Sequence, residues 1–113
     1  MREYQEAIKK YDIFDEKASD DLNDAAFMSK VLGLAGETGE VCEKFKKILR
    51  DKKGVMSDED RKEITKELGD VLWYVTTIGR YMKVGLDEIT SANIEKLESR
   101  RRRGKLSGNG DNR

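Results

Sequence analysis

Apolar residues along this chain recur every three or four positions, the spacing of one face of an α-helix. Four such stretches are separated by capping and stop signals. The first runs from about Arg2 to Lys17, with Tyr4, Ala7, Ile8, Tyr11 and Phe14 on its apolar side. An acidic stretch then breaks the pattern, and Asn23 and Asp24 offer side-chain caps for the second helix. That helix spans about Ala25 to Lys52, with Gly54 as its stop. Its core stripe is Val31, Leu34, Val41, Phe45 and Ile48. Ser57 caps a third helix, with Asp60 three residues on in an approximate capping box. This helix runs to about Lys83 and stops near Gly85. Its stripe is Ile64, Leu68, Val71, Val75, Ile78 and Met82. A fourth helix covers about Asp87 to Arg102 and ends at Gly104, and residues 107–113 read as a loop-like tail. The pattern predicts an all-α, four-helix-bundle-like fold in one domain over residues 1–113.

Composition supports long, unkinked helices. Charged residues make up 41% of the 113, and proline is absent. A domain this small buries a modest core, so self-association is an expected source of stability. Histidine is also absent, which removes His-based acid–base catalysis, Ser-His triads and the Glu-x-x-His ligands of di-iron bundles. Cys42 stands alone, so no intrachain disulfide forms, and it reads as a small buried apolar residue. No apolar run is long enough to span a bilayer. The N-terminus is polar from the start, and the plain expectation is a cytoplasmic protein with no membrane partner.

Charge is balanced overall but unevenly placed. Asp12, Asp15, Glu16, Asp20, Asp21 and Asp24 form an acidic stretch, and Arg100 to Arg103 with Lys105 a basic one. A net charge of zero argues against a nucleic-acid partner, although the arginine cluster keeps that reading as an alternative. A helical protein–protein interaction module is the other.

The second and third helices share a motif. Leu34-Ala35-Gly36-Glu37-Thr38-Gly39-Glu40-Val41 slides onto Ile64-Thr65-Lys66-Glu67-Leu68-Gly69-Asp70-Val71. Glu37 falls on Glu67, Gly39 on Gly69 and Glu40 on Asp70. Each helix therefore carries a carboxylate pair at i, i+3 bordering its apolar stripe. A single pair of this kind is usually a solvated face. Two in register, flanking the seam of an antiparallel hairpin, form a four-acid cage. All-oxygen ligands without His or thiolate select Mg²⁺, with Mn²⁺ as the second choice. Such an ion takes phosphate oxygens, so hydrolysis of a phosphate ester or anhydride is the natural chemistry. Gly39 and Gly69 each cost about 1 kcal/mol relative to Ala inside a helix. Close backbone approach beside the acids, or a helix bend, would account for them.

With these residues in view, the chain resembles the MazG-like, all-α nucleoside triphosphate pyrophosphohydrolases, in a compact single-domain branch. The resemblance rests on Glu37-Thr38-Gly39-Glu40 and Glu67-Leu68-Gly69-Asp70, on Asn93-Ile94-Glu95-Lys96-Leu97, and on the ending from Arg100 to Arg113. It implies hydrolysis of a nucleoside triphosphate, a deoxyribonucleotide or a non-standard one, to monophosphate and pyrophosphate, in the service of nucleotide-pool sanitation. It places Mg²⁺ on Glu37, Glu40, Glu67 and Asp70. The expected assembly is a homodimer or homotetramer. Many relatives carry a Glu-Glu doublet where this chain has Gly36-Glu37. Either Glu37 or Glu40 then serves as the catalytic base, or fewer ions are bound.

Asn93, Lys96, Arg100 and Arg103 share one helix face at spacings of three and four. By residues alone this is a cationic helix end that suits the dipole. The resemblance makes Asn93, Lys96 and Arg103 substrate contacts, with Arg100 beside them, and brings Asp111 and Arg113 of the tail over a site. Lys44 and Lys47, one and two turns beyond Glu40, reach toward phosphate or simply face solvent. Trp73 points away from its helix's core stripe, which suggests a second packed surface.

Overall fold

The computed structural model describes residues 1–13 and 19–104. Helix α1 spans Arg2–Ile8 and runs into a 3₁₀ turn over Lys9–Tyr11. Helices α2 (Ala25–Asp51), α3 (Asp58–Tyr81) and α4 (Leu86–Arg102) follow. The described residues contain only helices and connecting turns, as the periodicity predicts.

The caps explain where the helices begin. The Asp24 carboxylate accepts from the backbone N–H groups of Ala26 and Phe27, at 2.8 and 3.4 Å. Ser57 Oγ accepts from Asp60 N at 3.1 Å while Asp60 Oδ2 accepts from Ser57 N at 2.9 Å, closing the predicted box. Lys52 reaches across the α2–α3 turn to Asp60 at 2.8 Å. These bonds, led by the one from Lys52, lower the Asp60 pKa to about 2. Lys53 and Lys83 hold left-handed backbone after α2 and α3, with φ of 53° and 62°. Lys83 N and Val84 N donate back to Arg80 O and Gly79 O, which ends α3 in the hydrogen-bonded turn that usually carries glycine.

The α2–α3 hairpin is the body of the molecule. The Tyr74 ring lies on Gly33, where any Cβ would collide with it. Near the open end, Phe27 meets Tyr81 edge-on at 6.1 Å, with Ala26, Val31 and Ile78 around them. Helix α1 and the first turn of α4 pack together there. Gln5 Oε1 accepts from Leu86 N at 2.9 Å.

Three expectations need correction. The first helix does not continue as one α-helix to Lys17: α1 stops at Ile8, and Asp12 is extended. Asp12 is turned inward instead, where its buried carboxylate meets Lys30 at 3.3 Å, Arg80 at 2.9 Å and the Tyr81 hydroxyl at 2.7 Å. A continuing helix would have carried that acid round its own axis, so the tertiary ion network overrides local propensity. Phe14 and Lys17 lie outside the described residues. Cys42 is exposed, not buried. Phe45, Leu68 and Met82 belong to the predicted stripes but are 44%, 52% and 47% exposed. The described chain leaves each of them about half open to solvent. The radius of gyration, 16.9 Å, exceeds the roughly 13 Å of a compact chain of this length.

Candidate metal centre

Antiparallel packing of α2 on α3 brings three of the four predicted acids together. Glu37, Glu67 and Asp70 each present a carboxylate oxygen, and these oxygens lie within 4.8 Å of one another. Glu37 and Glu67 are half-buried at the seam and Asp70 is exposed. Glu40, one turn beyond Glu37, is exposed and stands outside this cluster. The electrostatics record the crowding. Desolvation, then the charges of Asp70, Glu67 and Glu40, then a hydrogen bond shared with Glu67, push the Glu37 carboxyl above its ordinary range. A divalent cation would relieve this repulsion. Opposite oxygens around Mg²⁺ stand about 4.2 Å apart, so the cluster fits the ion after a small closure of its side chains.

The matching family model describes a MazG nucleotide pyrophosphohydrolase domain and covers residues 25–104, the span of α2, α3 and α4. The chain belongs to this MazG family. Over 82 residues it is 50% identical to the Gene 37 protein of Mycobacterium phage L5, covering 73% of this chain and 72% of that one. No solved structure matches.

In this MazG domain the other predicted residues occupy three separate places. Asn93, Lys96 and Arg103 lie on the exposed side of α4, and Arg103 Nε donates to Ser99 O and Oγ at 3.3 and 3.2 Å. Arg100 differs, being 4% exposed. The shared face read from spacing is therefore part solvent and part packed interior. Lys44 and Lys47 line a small cavity of about 230 Å³ near the α2–α3 turn, among Asp51, Lys52, Asp60 and Glu63. They stand on the turn side of the acid cluster rather than among its carboxylates. Asp111 and Arg113 lie outside the described residues. Trp73 is half-buried and meets Tyr74 edge-on at 4.9 Å, as a packing residue would.

Two features escaped the sequence reading. Burial and the Asp70 charge raise the Tyr4 pKa, so the α1 tyrosine borders the acid cluster. The Asp12–Lys30–Arg80–Tyr81 network fastens the N-terminal segment to the hairpin. One signal for it was present: Lys30 lies between Phe27 and Val31 on an apolar stripe, where a lone cation needs a buried partner.

Proposed function

We propose that this MazG chain hydrolyses nucleoside triphosphates, deoxyribonucleotides or non-standard nucleotides, to monophosphate and pyrophosphate. The acid cluster at the α2–α3 seam carries the reading. Glu37, Glu67 and Asp70 would hold Mg²⁺, which supplies Lewis-acid polarisation of phosphoryl oxygens when bound. Glu40, one turn away with a solvent-facing carboxylate, takes the proton from the attacking water. Asn93, Lys96 and Arg103 orient the triphosphate and neutralise its charge. The water attacks the α-phosphorus and pyrophosphate leaves in line. Nothing lies within 4 Å of a Cβ built on Gly36, so the second acid of the family doublet is missing by sequence and not for lack of room.

Measuring pyrophosphate release across ribo- and deoxyribonucleotides with Mg²⁺ tests the reading. If every nucleotide survives at high enzyme and metal, it fails. Asp70→Asn or Glu40→Gln should lower kcat by at least about a hundredfold, the scale of a lost acid–base or charge-stabilising group. Helical circular dichroism should be unchanged. Near-normal turnover in either variant would remove that residue from the site.

A second copy of the chain completes this proposal. Gly36, Gly39 and Gly69 are exposed, and a methyl group added at any of them would meet nothing within 4 Å. Leu32, Leu49, Leu68 and Leu72 are also exposed on these helices. The total accessible area, 8405 Å², exceeds by roughly 2,000 Å² that of a compact monomer of this mass. Two chains each burying such an excess would form an interface in the obligate-homodimer class.

A further inference from the structure

Away from the acids, a cavity of about 650 Å³ opens between α1, the end of α3 and the start of α4. That volume suits a small-molecule site. Its lining carries Arg2, Lys9, Arg80 and Lys83 against Glu6 and Asp87, an excess of positive charge in a chain whose formal net charge is zero. Lys9 is engaged by Glu6 at 3.3 Å, and Arg80 holds Asp12. Arg2 and Lys83 make no ion pair among the described residues. Met1 and Val84 supply an apolar wall. Lys83 stands at the left-handed position of the turn that ends α3, where glycine is the favoured residue. The chain keeps a cation there instead, on the lining of the cavity.

We propose that this cavity binds a phosphorylated small molecule, with the phosphate between Arg2 and Lys83. Arg80, which shares its charge with Asp12, also lines the cavity, and Val84 covers the organic part. None of the clustered acids lines this cavity, and Arg80 stands ten positions along α3 from Asp70, about 15 Å of helix, with Tyr4 of α1 turned toward the acids and Arg2 toward the cavity. The proposal does not depend on the hydrolase reading.

The test uses the full chain in EDTA, so that the metal-free acids repel anions, with inorganic pyrophosphate as the probe. Titration followed by backbone amide NMR should show saturable shifts centred on Val84 and Gly85. Lys83→Gly retains the left-handed turn and should weaken binding at least tenfold with helicity intact. Arg2→Ala should act in the same direction. Lys62→Ala, on the exposed side of α3 and outside both the cavity and the acid cluster, should leave the affinity unchanged. Absence of binding at millimolar pyrophosphate would overturn the proposal. So would an unchanged affinity in Lys83→Gly, or a loss confined to Lys62→Ala.

Discussion

Glu37 shows how a single side chain records the purpose of its surroundings. Its carboxyl is pushed above the ordinary range by desolvation first and by three neighbouring acids next. The folded metal-free state therefore disfavours the ionised form. That contribution to stability is fully present below the ordinary carboxylate pKa and is lost as pH rises through the raised value. Glu37→Gln removes the loss. The metal-free variant should melt higher than the native chain at pH 7 and level with it at pH 4. The gain from Mg²⁺ should shrink in parallel. The native chain should gain about 2.7 kcal/mol at a hundredfold excess over Kd, and the variant much less at the same concentration. Differential scanning calorimetry with and without EDTA measures both effects. The register that aligns Glu37 with Glu67 was legible because helical periodicity fixes which residues share a face. That Glu40 would stand apart from the cluster was not, because periodicity says nothing of how closely two helices approach.

Among the elements, α2 and α3 were the most legible, since long amphipathic stretches with side-chain caps leave few alternatives. Asp24 and Ser57 both cap as their positions require. The coverage of the stripes was less legible. Leu68 and Phe45 look like core residues by spacing, yet their own chain leaves them exposed. An apolar stripe announces burial without naming what does the burying. The helical glycines decide between the two answers. Were the hairpin face open to water in the working protein, Gly36→Ala or Gly39→Ala should stabilise it by up to about 1 kcal/mol. With a second copy seated there, the same methyl should weaken association instead. We expect the latter: sedimentation of Gly39→Ala should show a dimer dissociating at concentrations at least tenfold higher than for the native chain. A variant that melts higher with undiminished association would place the partner elsewhere.

At the scale of the whole molecule, the four-helix expectation holds while its compactness does not, because α4 meets the hairpin chiefly at its first turns. What fastens the N-terminal segment to the hairpin is the buried Asp12 cluster, and no local pattern names a partner 68 positions away. That separation has a kinetic consequence. The α2–α3 hairpin closes through a short turn and can organise early, whereas the Asp12 clasp must wait for a long loop to close. Contacts made after the transition state govern escape from the native state rather than arrival at it. Asp12→Asn leaves Lys30 and Arg80 facing a neutral group and should cost about 3 kcal/mol. In stopped-flow refolding the cost should appear almost wholly as faster unfolding, roughly a hundredfold, with the folding limb unmoved. The N-terminal segment would then act as a latch on the lifetime of the fold, fastened last and released first.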